Sequence, residues 1–387
     1  MRNKIIIKTT LLALLAVNSS AQSFQEYLTQ SQNNYSTFKN TIDEQFLSYK
    51  KAYDESYKEY ASEIEEKWPT IDVSTNHKWV EYSKDYNSKK SIDYAKEEIS
   101  VEVIALSEKE AKEKIKKIVD EMVNYSVEDG IKNDILQNKI LKKTEKTVKE
   151  ENKTENKQKL ISDILSTEEQ NSIKEKLTTQ KIVQEKYREK FIYKVNVKLP
   201  SDFLIKKAKL YQPIVNKQSS LTNIPAELIY AVIHSESSFN PMARSHIPAF
   251  GLMQIVPKSA GVDVYYYLYK KKKILSSTYL YNAQNNILVG SNYLHILYFK
   301  YLKNIKNPQS RMYCVIAAYN TGAGNVSKAF IGDTNISKAV IEINKMDSTQ
   351  VYTHLMKKLP YNETKEYLHK VNDRVAAYNQ LIKNAEL

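Results

Sequence analysis

Glu236 lies in the run His234-Ser235-Glu236-Ser237-Ser238-Phe239-Asn240-Pro241, and nine residues later the chain reads Gly251-Leu252-Met253-Gln254. Proline cannot continue a helix, so Asn240-Pro241 places the carboxylate in a last helical turn, facing a glycine-led turn. A carboxyl flanked by Ile233, Phe239 and Met253 can keep its proton near neutral pH and donate it to the leaving oxygen of a glycosidic bond. The negative end of the helix dipole acts in the same direction. The next acidic residue along the chain is Asp263, so the sequence-local second carboxylate usual in glycosidases is missing. Glu236 is therefore expected to work alone on a sugar polymer; an ordinary surface glutamate at a helix end is the alternative.

The elements that must position this carboxylate are legible in outline. Pro225 opens a helix with Leu228, Ile229, Val232 and Ile233 on one face. Asn282 to Lys303 reads as another, with Ile287, Leu294, Leu297, Tyr298 and Tyr301 on one side. A short apolar helix from Arg311 to Tyr319 is broken by Gly322 and Gly324. Alternation in period two is absent after Leu199, so the C-terminal part is expected to be almost all helical.

Upstream, Phe24, Leu28, Tyr35, Phe38, Ile42, Phe46, Tyr49, Tyr53, Tyr57, Tyr60 and Ile64 recur three and four apart, an amphipathic stripe ended before Pro69 and suited to packing against a partner helix. Residues 98–104 and 191–199 alternate in period two and are expected to pair in a small sheet. Between them, residues 141–187 are rich in Lys, Glu, Gln and Thr, lack Gly and Pro, and read as a solvated helix or a partly disordered connector, without chemistry. Leu199-Pro200 marks the change in composition. The expected organisation is a leader at 1–21, an N-terminal domain at 22–198 and a C-terminal domain at 199–387. The fold class is mainly α, with an α+β N-terminal domain of long amphipathic helices and a small sheet.

The first 21 residues carry Arg2, Lys4 and Lys8, then an apolar run from Thr10 to Val17, then Ser19-Ser20-Ala21. That is the pattern of a secretory signal peptide cut after Ala21, and export is expected. Cys314 is the single cysteine; it excludes an intrachain disulfide and reads as a buried small hydrophobe. The net charge is +13. Residues 199–387 hold 23 basic and 11 acidic residues, a balance of +12, whereas residues 22–198 hold 32 and 34, a balance of −2. The basic C-terminal part suits an anionic polymer; with export, a cell-wall glycan is expected rather than nucleic acid. Lys270 to Lys273 read as a solvated loop. His234 and His246 flank the glutamate without metal-binding spacing, and neither a metal nor a cofactor is expected.

Four separated motifs, Glu236-Ser237, Gly251-Leu252-Met253-Gln254, Ala318-Tyr319-Asn320 and Glu363-Thr364-Lys365-Glu366-Tyr367, resemble in order those of the soluble-lytic (SLT) type of lytic murein transglycosylase. Residues 22–198, notably Lys78-Trp79-Val80-Glu81-Tyr82-Ser83-Lys84-Asp85, look like the N-terminal domain of the membrane-bound lytic murein transglycosylase C type. The lipidated cysteine that such relatives carry after the signal has no counterpart here. The resemblance implies a lysozyme-like helical domain from Leu199 onward and a lytic cleavage of peptidoglycan between N-acetylmuramic acid and N-acetylglucosamine. Glu236 would serve as sole acid and then base, leaving a 1,6-anhydromuramic end. Ser237 and Ser245 would bond the glutamate or an acetamido group, a helix cap or turn being the alternative. Gly251 would let the backbone approach the sugar, and Gln254 would bond it. Leu252 and Met253 would line the site, Met253 also packing in the core. Tyr319 and Asn320 would lie across the cleft, with the Tyr319 hydroxyl near Glu236, and Tyr367 would line it. A hydrolytic muramidase and an inactive wall-binding scaffold are the competing readings. The location implied is periplasmic, with the N-terminal domain offering a surface to wall-synthesis or membrane-associated partners.

Overall fold

The computed structural model describes residues 44, 46–144, 156–246 and 248–387. The signal-peptide reading, the front of the aromatic stripe from Phe24 to Ile42, and residues 145–155 of the charged segment lie outside them. The chain divides into two units, Met1–Ala52 and Tyr53–Leu387.

Within the larger unit the first helix, α1 (53–65), buries Ser56, Tyr60, Ala61 and Ile64, and Trp68 is buried just beyond its end. The stripe predicted in this stretch packs on a sheet, while Glu59 and Glu63 on the same helix pair with Lys143 and Lys139 of a later helix. The Tyr60 ring meets Tyr82 edge-on at 6.0 Å, and Trp68 Nε1 donates to Tyr86 O at 2.8 Å. That sheet has five antiparallel strands in the order β1 (Lys78–Tyr82), β2 (Ser88–Asp93), β3 (Glu98–Ala105), β5 (Lys190–Lys198), β4 (Val183–Tyr187). The expected distant pairing forms, with Ile99 opposite Val197, Val101 opposite Val195 and Val103 opposite Tyr193. Sequence reading missed the β1–β2 hairpin, whose strands carry Lys89 and Lys90 at buried positions. Each ammonium is neutralised there: Lys89 by Glu102 at 3.2 Å and Lys90 by Glu81 at 3.0 Å.

Helix α2 (Glu108–Val123), capped by Ser107, lays Ala111, Ile115, Val119 and Met122 into the core beside β3. Two short helices come next, α3 (Val127–Asn133) and α4 (Ile135–Thr144). The segment 141–187 is not a featureless connector. It contains α5 (Thr167–Thr179), opened by a Ser166/Glu169 capping box, and its end forms the edge strand β4. Ile173 and Leu177 of α5 are buried where it packs on α2. Two apolar residues one turn apart and a capping box suffice for a helix that has a surface to cover.

After Leu199-Pro200 the chain is helical: α6 (Phe203–Thr222), α7 (Ala226–Ser237), α8 (Val262–Tyr269), α9 (Ser277–Tyr281), α10 (Ala283–Ile296), α11 (Pro308–Thr321), α12 (Ala323–Ile331), α13 (Ile336–Ile343), α14 (Ser348–Lys358) and α15 (Asn362–Lys383). Helix α7 is central. Every residue from Leu228 to Ile233 is buried, not only the predicted face, because a helix that is apolar all round is enclosed on all sides. Helix α15 packs along it, α11 packs on α15, and α10 packs on α6. A π-turn over Leu297–Tyr301 rotates the end of α10, so Tyr301, expected on the buried side, is exposed. Gly322, at φ +84°, does end α11, but Gly324 lies inside α12. Among the described residues no helix is long and apolar enough to cross a membrane.

Candidate active site

The site is assembled at the end of α7. Glu236 lies one residue before the helix end, and Ser237 is fully buried, its Oγ donating to Ile233 O at 3.0 Å and to Leu252 O at 2.8 Å. Ser237 thus ties the helix end to the glycine-led turn. Its hydroxyl bonds the backbone, as the capping alternative expects.

The turn itself is built on contacts that the sequence does not announce. Gly251 has φ +74°, and a Cβ there would stand 2.3 Å from Asn286 Nδ2 and 2.4 Å from Leu280 O. On the side where a Cβ would stand, this glycine is approached by α10 and the end of α9. Asn286 is completely buried. Its amide donates to Phe250 O and Leu280 O, both at 2.8 Å, and its Oδ1 accepts from Met253 N at 2.8 Å. Sequence reading did not name Asn286. A signal existed: it stands one helical turn before Gly290 and two before Leu294, on the buried stripe of α10.

Leu252 and Met253 are core residues. Met253 fills the space left by Gly290, where a Cβ would lie 2.2 Å from its Sδ. Gly290→Ala should cost about 1–3 kcal/mol through overpacking. In urea unfolding, Gly290→Ala and Met253→Ala together should cost less than the sum of the single changes; additivity would show that the two sites do not share this space. Gln254, at φ +46°, turns its Nε2 back to Gly251 O at 3.0 Å. Ser245 lies in the preceding loop, its N–H donating to Ala249 O at 3.2 Å.

The other two motifs close over this turn. Tyr319 of α11 donates its hydroxyl to Met253 O at 2.8 Å. It is close enough for the Glu236 charge to help raise its pKa, burial being the larger cause, but its proton is engaged with the backbone. Asn320 Oδ1 accepts from Thr364 Oγ1 at 2.7 Å, which joins the end of α11 to the start of α15. Tyr367 of α15 is buried and lies beside the carboxyl: its hydroxyl makes no hydrogen bond of standard geometry, yet it lowers the Glu236 pKa. A buried hydroxyl facing a carboxyl is suited to stabilising negative charge when it forms.

The Glu236 pKa is pushed up to about 8. Burial is the main cause, Tyr367 opposes it, and the charge of Glu363 adds to it. Glu363 stands exposed at the start of α15, so the fold supplies a second carboxylate that chain-local spacing had excluded. His234 is held well down, to about 3, by burial and then by Arg374 and His77. It is neutral at ordinary pH, with Nδ1 3.1 Å from Tyr378 Oη. Cys314 is buried and its thiol is pushed up to about 12 by burial, the setting of an inert packing residue. Among the described residues no group of three His, Cys, Asp or Glu is arranged to hold a metal.

Comparison with known proteins bears on the same region. Residues 213–341 match the family model described as "Transglycosylase SLT domain". This span contains Glu236, Gly251 to Gln254, Tyr319 and Asn320, and stops before Tyr367. Proteins named membrane-bound lytic murein transglycosylase C are similar. That of Serratia proteamaculans is 43% identical over 189 residues, covering 49% of this chain and 52% of the relative, and that of Pectobacterium atrosepticum is 42% identical with the same shares. The chain spans about half the length of the curated relatives it matches. Among solved structures, the 70 kDa soluble lytic transglycosylase of Escherichia coli aligns over 47% of this chain and 26% of its own, with 24% identity and a TM-score of 0.35. An inactive mutant of lytic transglycosylase Slt from Pseudomonas aeruginosa aligns over 47% of this chain and 31% of its own, with 20% identity and a TM-score of 0.33.

Proposed function

We propose that this chain, with its match to the SLT transglycosylase domain, is an exported peptidoglycan lytic transglycosylase. The substrate would be the glycan strand, cut between N-acetylmuramic acid and N-acetylglucosamine without water. The observation that supports this most is Glu236, a carboxyl whose pKa burial pushes up to about 8, held among the four motifs. Protonated, Glu236 donates to the glycosidic oxygen as the bond to muramyl C1 breaks. The muramyl C6 hydroxyl then attacks C1, and the Glu236 carboxylate takes its proton. A 1,6-anhydro end forms, the proton count closes, and Glu236 is protonated again. The tethered hydroxyl outcompetes water through its high effective molarity. Tyr367 stands beside the transient carboxylate, and the Gly251 to Gln254 turn would form one wall of the cleft. The half that begins after Leu199 would carry the cleft, and the sheet-bearing half would support it.

The experiment is mass spectrometry of muropeptides released from purified sacculi. Products lighter by one water than reducing muropeptides are expected. Reducing ends would instead establish a hydrolytic muramidase, the reading favoured by the reach of the Glu363 charge, since that second carboxylate could orient a water. No release at all would point to a wall-binding scaffold.

The same carboxyl sets a pH dependence. The acid form is present below about 8 and is lost as pH rises through that value, so kcat/KM should fall above about pH 8. For stability, the folded pKa lies above the ordinary 4.5. Between about 4.5 and about 8 the folded chain keeps a proton that the unfolded chain releases. The contribution of Glu236 is thus greatest at low pH and declines across that window. Tm measured against pH for the wild type and Glu236→Gln should diverge there, the variant gaining relative stability; parallel curves would mean an ordinary, hydrated carboxylate.

A further inference from the structure

We infer that the sheet-bearing N-terminal half positions Glu236, through His77 and the Asp134–Arg244 pair, by holding the backbone turn immediately after it. This inference rests on the proposed activity for its kinetic readout and on geometry for its physical basis.

The turn in question is strained. Ser238 and Phe239, the second and third residues after Glu236, have φ values of 50° and 64°. Two successive non-glycine residues in the left-handed region persist only where surrounding contacts over-determine them. From within the helical half, the Ser238 N–H caps α7 at His234 O, and the buried Phe239 ring stacks on Tyr211 at 6.2 Å. Further contacts come from the other half. Ser238 Oγ is 3.1 Å from His77 Nδ1, at the edge of β1. Asn240 Nδ2 donates to Asn76 O at 3.2 Å, and Arg244 N donates to Thr75 O at 3.4 Å. Arg244 Nη1 donates to Asp134 Oδ2 at 2.5 Å, in a pair in which both side chains are largely buried. Arg244 is further paired through an isolated β-bridge with Phe250, and Ala243 O accepts from Gly251 N at 2.8 Å. The N-terminal half thus grips both ends of the site, the turn after Glu236 and the strand that enters Gly251.

Removing a partner from a buried pair leaves an uncompensated charge, so the loop should shift rather than only loosen. A displacement of about 1 Å at a catalytic group can cost about 100-fold in rate. The His77 pKa is lowered mainly by burial, then by Arg374; Lys370 also lowers it, while the Ser237 backbone and Asp93 act against them. The groups acting on Glu236 itself are Tyr367 and Glu363 from α15, with Tyr319 from α11 coupled to it. None of these is altered by the test.

The test uses the full chain with His77→Ala, His77→Gln and Asp134→Asn, and the double replacement Asp134→Leu with Arg244→Met in case Asp134→Asn fails to fold. In folded His77→Ala and Asp134→Asn, kcat should fall about 10- to 100-fold with KM changed less than about twofold. The alkaline limb should move to lower pH as the carboxyl rehydrates. His77→Gln, whose amide can still bond Ser238, should recover most of the rate. The double replacement should keep the fold and lose rate like Asp134→Asn. Glu236 ionisation is also read without turnover, from the pH dependence of the Tm difference between each variant and the same variant carrying Glu236→Gln. Folded variants with unchanged kcat, alkaline limb and Glu236 ionisation would overturn the inference. A wild type that releases no muropeptide, with the ionisation still shifting in His77→Ala, would sink the proposed activity and leave the inference standing.

Discussion

Glu236→Gln should reduce muropeptide release by about 10³-fold or more while leaving sacculus binding within about twofold. General acid or base catalysis by one positioned group contributes about 10²–10⁴-fold, and here the same atom pair would serve both halves of the reaction. Glutamine cannot donate the first proton or accept the second. The neighbours that might substitute are poorly suited. His234 is neutral and its Nδ1 is engaged with Tyr378, Tyr319 is bonded to Met253 O, and Tyr367 has its pKa raised well above the ordinary value, first by burial and then by Glu236 itself. The fold should survive, because a carboxamide resembles the protonated carboxyl that this half-buried site favours. The measurement is release from labelled sacculi beside a pull-down binding assay. Retained lysis would remove Glu236 from the mechanism, and loss of binding as well would mean that the variant had collapsed the cleft.

The second large effect is expected at Gly251. Alanine at φ +74° costs about 1–2 kcal/mol for the left-handed backbone. Its methyl must also occupy space 2.3 Å from Asn286 Nδ2 and 2.4 Å from Leu280 O. Asn286 cannot swing away without abandoning three backbone partners, and Leu280 O is itself backbone. Overpacking of that kind adds about 1–3 kcal/mol, so Gly251→Ala should destabilise by about 2–5 kcal/mol in urea unfolding. Gly332→Ala is the control: Gly332 is left-handed at φ +72° and ψ −1°, but nothing lies within 4 Å of the added Cβ, so the backbone cost alone remains. Equal losses in the two variants would show that the close approach of α10 is not what fixes the turn.

These two residues were visible in the sequence for different reasons. Glu236 was found because proline, helix periodicity and a glycine turn are local signals, and they place a carboxylate at a helix end regardless of the rest of the fold. Gly251 was found as a glycine, but the close approach of α10 to it was not. Its motif shows that something approaches, and only packing shows that it is Asn286. Ser237 illustrates the same limit, since a hydroxyl next to a glutamate reads equally as a ligand contact or as a cap, and only the fold shows that it reaches Ile233 O and Leu252 O. In the charged segment 141–187, low apolar content concealed α5 and β4. A helix or edge strand that needs only one or two buried residues carries almost no period of its own. The misplacement of Tyr301 has a similar origin, because a single π-turn shifts the helical phase by less than a sequence pattern can register.

The sequence by itself determined the helical character of the C-terminal half, the β3–β5 pairing, the identity of the candidate acid and the set of motifs around it. The helices, the pairing and the helix-end glutamate arise from periodicity, caps and turn residues acting over a few positions of chain, and the motif set from its resemblance to a known family. Tertiary structure alone decided the ionisation of Glu236, the arrival of Glu363 and Tyr367 beside it, and the grip of Thr75 to His77 and Asp134 on the loop behind it. Those properties depend on dehydration and on distances between residues far apart in the chain. Folding sets both only when the helices and the sheet close around one another.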